Sequence, residues 1–222
     1  MEVLISAMQD DPYILLIPNV FSNDLCDELI TFFCKNQERA NETKYGYGEN
    51  TRTFKISMRR TPNFYEEDIY KDVIELIESL LRDTIVNEIA PRFGGKGVWN
   101  IIQEDFKKHC MFSGLQLRVM IGETLEHTDG TDPINLYDLA GTFKTFARIG
   151  TFIVTLNDTE DAIVFPAQHK EVKLEKGSVL FFPPYWMYPH KSVHKGSGKR
   201  YSIQTWLVME TQYNVDSYLE FP

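Results

Sequence analysis

Cysteine is scarce in this chain: three in 222 residues, Cys26, Cys34 and Cys110, with no C-x-x-C pair. The odd count and the spacing exclude a disulfide framework and indicate no structural zinc knot. No apolar run approaches the ~18 residues that span a bilayer. The opening MEVLISAMQDD has no basic stretch followed by a long apolar one, so no signal peptide is visible. A cytoplasmic protein without a membrane partner is the expectation. Positive charge is short as well. Lys and Arg number 23 against 32 Asp and Glu, a net of −9, which argues against nucleic acid as a partner. One candidate basic patch, Lys55, Arg59 and Arg60, reads as a solvated edge strand.

The chain is long enough for one domain with a sizeable core, and the expectation is a single domain over residues 1–222. Residues 13–20, YILLIPNV, read as a short strand limited by Pro18. Ser22 can then cap a helix with Asp24 in its first turn, and Leu25, Leu29, Phe32 and Phe33 give it an amphipathic face. After a turn-rich stretch that includes the loop KYGYGEN, TRTFKISM alternates as a strand. A second helix is expected from about Tyr65 to Ile89, with Pro91 ending it. From residue 97 the texture changes to short strands: GLQLRVMI, TFIVTLND, AIVFPA, GSVLFFPP and YSIQTWLVME. Strands at this cadence without intervening helices indicate a sandwich or barrel, not a parallel α/β sheet. Residues 1–96 would then support a β-core formed by 97–222.

Against this background three residues carry the chemistry. His127 and Asp129 stand at i and i+2, so in extended chain both project to one side. His190 follows much later, after the aromatic and proline-rich FFPPYWMYPH. Two imidazoles and one carboxylate can hold Fe(II) on one face and leave coordination positions open. Taken alone, H-x-D is a weak signal, and a hydrogen-bonded loop histidine is its plain alternative. Ten residues after His190 stands Arg200, a planar guanidinium that never deprotonates and pairs a carboxylate in bidentate fashion.

In GSVLFFPPYWMYPH and KGSGKRYSIQTW the chain resembles the Fe(II)/2-oxoglutarate-dependent dioxygenases, in particular their prolyl 4-hydroxylase-like branch. That family shows H-x-D, a distal His and then Lys or Arg about ten residues on, in a G-x-[RK]-Y-x-[IL]-x-x-W type strand. His127, Asp129, His190, Arg200, Tyr201, Ile203 and Trp206 occur here in that order. IPNVFSNDLCDELI resembles the family's entry segment. The resemblance implies a double-stranded β-helix (jelly roll, cupin-like) core with flanking helices. It implies Fe(II) on His127, Asp129 and His190, and 2-oxoglutarate with its far carboxylate on Arg200. It further implies dioxygen as co-reactant, ascorbate among the cofactors, and a hydroxylase whose substrate is a peptidyl proline. A free amino acid or other small molecule is the alternative substrate.

His194 competes with His190 but lies only six residues before Arg200. His169 reads as surface in a hairpin, and His109 as structural. Lys199 should point away from Arg200. The family often carries a Tyr about nine residues before its first metal histidine. This neighbourhood instead reads Leu117, Arg118, Val119, Met120. Thr151 and Gln204 are the candidates to replace that Tyr in cosubstrate binding. The segment INLYDLAGTFKTFARIG would cover the site entrance. Tyr45, Tyr47, Arg148, Trp186 and Tyr188 are the candidates for contacting substrate. Two rivals remain at this stage. A jelly-roll binding module without catalysis need not keep all four residues, and a zinc hydrolase would leave Arg200 without a role.

Overall fold

Alternation of apolar and polar residues along Arg52–Met58, Leu115–Ile121 and Arg200–Glu210 gives that part of the main sheet two unlike faces. The computed structural model describes residues 11–43, 51–58, 70–93, 110–130, 134–137 and 142–211. The loop KYGYGEN, Arg59, Arg60 and His109 lie outside these residues. The strands are β1 (Leu15–Ile17), β2 (Asn41–Thr43), β3 (Arg52–Met58), β4 (Cys110–Phe112), β5 (Leu115–Ile121) and β6 (Ile134–Tyr137). They continue as β7 (Phe143–Thr155), β8 (Ala162–Phe165), β9 (Lys170–Lys173), β10 (Val179–Phe182), β11 (Lys191–Val193) and β12 (Arg200–Glu210). A nine-stranded sheet runs β1-β10-β7-β12-β5-β3-β2, with β4 on β12 and β6 on β7. A three-stranded sheet, β11-β8-β9, faces it. All the pairings are antiparallel, as a jelly-roll core requires.

One face of the large sheet packs on helices. Ile56, Leu117, Val119, Phe152, Val154 and Ile203 meet α1 (Asn23–Lys35) and α2 (Lys71–Thr84) in one hydrophobic core. Ser22 caps α1 by accepting from the Leu25 amide at 3.2 Å, and Asp24 sits in the first turn. Cys26, Leu29 and Phe33 form its buried stripe; burial pushes the Cys26 thiol up, so it packs as a small hydrophobe. Phe33 meets Tyr201 of β12 edge-on at 5.9 Å between ring centroids.

The second helix differs from expectation at its end. Pro91 does not stop it: a π-turn (Ile85–Ile89) intervenes, and α3 (Ala90–Phe93) carries Pro91 within it. The Ala90 amide bonds the Ile85 carbonyl five residues back. That wider turn moves away the carbonyls the proline ring would strike. INLYDLAGTFKTFARIG, expected at the site entrance, contributes β6 and the start of β7, which pair antiparallel, and its Ile134, Asn135, Leu136 and Arg148 line a cavity. β3 lies inside the sheet between β5 and β2, so Lys55 is half-buried and not on an edge. No helix among the described residues is long and apolar enough to cross a membrane.

The other face of the large sheet changes character from one side to the other. Toward β1 and β10 it is apolar, and Ile14, Leu180, Phe182 and Tyr188 form a second core with Ile163, Phe165 and Val172 of the small sheet. Toward β12, β5 and β3 it turns polar. One register row reads Leu180, Ile153, Gln204, Gln116, Ser57 across five strands. The polar half of this face, opposite the small sheet, is where the functional side chains collect.

The turn into β10 fixes how the two cores meet. Gly177 has φ +76°, and a Cβ there would lie 2.3 Å from the Phe21 carbonyl oxygen. Its own carbonyl accepts from the Val20 and Phe21 amides, both at 3.0 Å. Gly177→Ala is therefore expected to cost about 1–3 kcal/mol or more. It should appear as a lower urea midpoint with an unchanged m value.

Candidate metal centre and adjoining cavities

His127 and His190 are brought together by their backbones. The His127 amide donates to the His190 carbonyl at 3.0 Å, and the His190 amide donates to the His127 carbonyl at 2.8 Å. This isolated antiparallel bridge continues the line of β11, where the Thr124 amide donates to the Ser192 carbonyl at 3.2 Å and the Ser192 amide donates to the Thr124 hydroxyl at 2.7 Å. Asp129 follows two residues after His127, and Gly130, at φ +77°, turns the chain away. One donor atom from each of His127, Asp129 and His190 then lies within 4.8 Å of the others.

The donor set fits a divalent metal in tautomer as well as in position. His127 Nδ1 lies 2.8 Å from the Leu125 carbonyl and His190 Nδ1 lies 3.1 Å from the Tyr188 carbonyl. A carbonyl only accepts, so each Nδ1 carries the proton and each Nε2 keeps a lone pair for a ligand. The Thr151 hydroxyl donates to Asp129 Oδ2 at 2.6 Å, leaving the other carboxylate oxygen for a ligand. Burial first, and then the neighbouring His127, hold His190 below the usual histidine range, against the opposing pull of Asp129. A neutral imidazole is the form that binds metal. Phe182 and Phe165 pack against the His190 ring and keep this side of the site dry.

Of two cavities on this side of the sheet, one touches the cluster and the other is joined to it only through Arg148. A narrow one, about 40 Å³, is lined by Arg118, Met120, Thr124, His127, Ile153, Ile163, His190, Ser192, Arg200, Ser202 and Gln204. Arg200 is buried, and its Nη1 donates to Asp161 Oδ2 at 3.2 Å while Nη2 lies 3.3 Å from Met120 Sδ. Asp161 Oδ1 is in turn 2.9 Å from His194 Nδ1 and 3.3 Å from the Lys195 amide. His194 thus belongs with Asp161, and His190 is the histidine in the cluster. The wider cavity, about 320 Å³, is lined by Ser57, Ser113, Gln116, Asn135, Arg148 and Trp206, among others. Arg148 reaches between the two places. Its Nη1 donates to the Asp129 carbonyl, and its guanidinium lies over the Trp206 ring at 4.6 Å.

The sequence-derived candidates divide accordingly. His127, Asp129, His190, Arg200, Gln204 and Arg148 lie at the cluster or on a cavity wall. Thr151 touches Asp129 and donates its single proton there, so it orients the carboxylate. Tyr188 is packed in the second core, where burial first and Asp11 next push its hydroxyl up to about 12. Trp186 is 79% exposed and lines neither cavity. Tyr45 and Tyr47 lie outside the described residues. His169 is exposed in the β8–β9 hairpin, and Lys199 is exposed beside buried Arg200. Sequence reasoning missed Asp161 and the part played by Trp206. No local signal marks Asp161, whereas the even spacing of Trp206 from Gln204 and Arg200 was readable.

No family model matches the sequence, and no curated relative does. Solved structures do match. Against the viral collagen prolyl hydroxylase of Paramecium bursaria Chlorella virus-1, determined as its 2OG complex, the TM-score is 0.55 at 18% identity, covering 90% of this chain and 98% of that one. A Pseudomonas putida prolyl-4-hydroxylase gives 0.56 at 12% identity, covering 95% and 100%. A Trichoplax adhaerens prolyl hydroxylase, in complex with a hypoxia inducible factor oxygen degradation domain peptide fragment, gives 0.55 at 13% identity, covering 99% and 94%. At these identities the likeness establishes the fold. The chain has the antiparallel jelly-roll core with flanking helices of these 2OG oxygenase structures.

If Thr151 orients Asp129, Thr151→Val keeps the shape and removes the donor. Affinity for Mn(II), measured by calorimetry, is expected to fall about 10–100-fold. An unchanged affinity would mean that Asp129 needs no such support.

Proposed function

We propose that this protein is an Fe(II)- and 2-oxoglutarate-dependent hydroxylase acting on a peptidyl proline. The observation that carries the reading is the convergence of His127, Asp129 and His190 beside a cavity whose wall holds both histidines and buried Arg200. Fe(II) held by those three residues would supply the dioxygen chemistry that couples decarboxylation of 2-oxoglutarate to succinate and CO2 with hydroxylation of a C–H bond.

In this reading the chain's own residues divide the labour. The paired backbones of His127 and His190 hold two ligands at a fixed spacing, and Thr151 aims the third. Arg200 receives the far carboxylate of 2-oxoglutarate, and Gln204 adds a neutral hydrogen-bonding group on the same wall. Phe165, Phe182 and Ile163 exclude water on the His190 side.

Substrate would enter through the wider cavity. Arg148 Nε and Trp206 Nε1 are buried there, and neither finds a hydrogen-bond partner among the described residues. A buried donor left unpaired costs about 1–3 kcal/mol, which a peptide carbonyl placed between them would recover. The Arg148 guanidinium, bonded to the Asp129 carbonyl, would link substrate binding to a ligand residue. The aromatic face of Trp206 suits a pyrrolidine ring. The solved prolyl hydroxylases of the same fold are consistent with this substrate class. The reading takes the chain as one cytoplasmic domain, in a reducing compartment that suits three cysteines without a disulfide.

The test is anaerobic loading with Fe(II), admission of oxygen, and measurement of succinate formed from 2-oxoglutarate with proline-bearing peptides and with free proline. Succinate that rises with peptide is the expected result. Failure of the loaded protein to bind 2-oxoglutarate would overturn the reading, and stimulation by free proline alone would overturn its peptide part. Asp129→Ala should abolish turnover. Arg200→Met should weaken 2-oxoglutarate binding by about 2–5 kcal/mol, the range for truncating one partner of a buried charge pair. It should also lower thermal stability, because Asp161 is 1% exposed and loses the Arg200 guanidinium.

A further inference from the structure

Arg148 is a half-buried guanidinium without a counter-ion among the described residues. Its contacts are the Asp129 carbonyl, which accepts from Nη1, and the Trp206 ring, over which it lies at 4.6 Å. Both stabilise the cation, and neither neutralises it. Charge drawn away from water is ordinarily paired with an opposite charge. Yet none of the described residues lining the cavity of about 320 Å³ beside Arg148 carries a carboxylate. Arg148 Nε is buried there without a hydrogen-bond partner, and so is Trp206 Nε1.

The rest of the polar wall is neutral. Ser57 of β3 stands opposite Gln116 of β5, and the Ser113 amide donates to the Trp206 carbonyl at 3.0 Å. Asn135 of β6 has its side-chain oxygen engaged by the Thr145 hydroxyl at 2.9 Å, so its amide N–H groups remain as donors. These four side chains can donate to an anion, and Arg148 brings the charge. One cation among neutral donors matches the single charge of a carboxylate better than a phosphate near −2. A guanidinium has five N–H donors. With one on the Asp129 carbonyl and Nε given to a substrate main-chain carbonyl, three remain for a carboxylate. The cavity is also of the size that holds small molecules, so a second side chain can share it with a pyrrolidine ring.

We propose that the substrate peptide carries an acidic side chain directly beside its proline, and that Arg148 receives that carboxylate with Ser57, Ser113, Gln116 and Asn135 as the neutral donors around it. The inference rests on the reading of this cavity as the entry for a peptidyl proline.

The experiment is calorimetric titration of the full chain, loaded with Mn(II) and 2-oxoglutarate, with short peptides blocked at both ends. Each carries one proline with Glu, Gln or Lys directly before or directly after it. In one of the two orders the Glu peptide should bind at least about tenfold more tightly than its Gln isostere, the size of a hydrogen bond to a charged group. The Lys peptide should bind most weakly. In Arg148→Gln the Glu and Gln peptides should bind alike, and Arg148→Lys, which keeps the charge and loses the fork, should restore part of the preference. Each comparison sets two peptides on one protein, so a general loss of affinity in a variant does not mimic the result. Equal binding of the Glu and Gln peptides by the wild type overturns the proposal, and that result needs no variant to fold. A Glu preference that survives in Arg148→Gln overturns the role of Arg148. A peptide ending in proline with its terminal carboxylate unblocked, and without Glu, that binds as tightly as the Glu peptide overturns the side-chain assignment. A wild-type chain that binds none of the peptides overturns the peptidyl-proline reading itself, an outcome distinct from equal binding of all three.

Discussion

The reciprocal pair of backbone hydrogen bonds between His127 and His190 is the constraint on which the site depends. It ties the segment after β5 to the segment before β11, and so helps tie the large sheet to the small one. Because the bonds are between main-chain groups, they set the distance between two imidazoles without using either ring. Each ring then spends its Nδ1 proton on a carbonyl two residues earlier, and both Nε2 atoms are left facing the same space. Packing cannot relax this arrangement cheaply, since His190 is 3% exposed and wedged against Phe165 and Phe182.

The second requirement is a sheet face that is apolar at one side and polar at the other. A fully apolar inner face would close on itself, as the second core does around Leu180, Phe182 and Phe165. Polar residues at Gln116, Arg118, Ser202 and Gln204 keep the neighbouring strands from collapsing onto the small sheet. The cavity is thus what remains when strand alternation continues while the residue type on the inner face changes. Charged groups on that wall are affordable because the acid that offsets Arg200 comes from outside the sheet, on the loop before β8.

Much of this was legible from residue order. Strand parity places His127 and Asp129 on one side, Ser22 starts α1, and the alternation in RYSIQTW puts Arg200, Ser202 and Gln204 on one wall. What was not legible depends on contacts between residues far apart in the chain. Asp161 lies 39 positions from Arg200, and nothing in DTEDAIVF distinguishes it from its acidic neighbours. The contact of Thr151 with Asp129 was hidden because the two are 22 positions apart. Trp186 and Tyr188, only two residues apart, go to the surface and to the core, and their shared aromatic character hides that difference. Pro91 was read by its usual effect, which the π-turn before it cancels locally.

Arg148 shows why parity alone could mislead. Thr151 and Ile153 face the inner side, so unbroken alternation would turn Arg148 toward the helices with Phe152 and Val154. The register between β7 and β12 slips at Leu207/Val208, where Gly150 pairs Leu207 and Arg148 pairs Val208, leaving Ile149 as the extra residue. A bulge of this kind rotates everything beyond it by one position. Ile149 packs on the helix-side core, and Arg148 swings to the face it shares with Trp206. Gly150 makes room at that point, because a Cβ there would lie 2.5 Å from the Phe181 ring. The same irregularity thus seals the helix-side core and delivers a guanidinium to the Asp129 carbonyl, so the wider cavity and the metal-ligand cluster share one wall residue by construction.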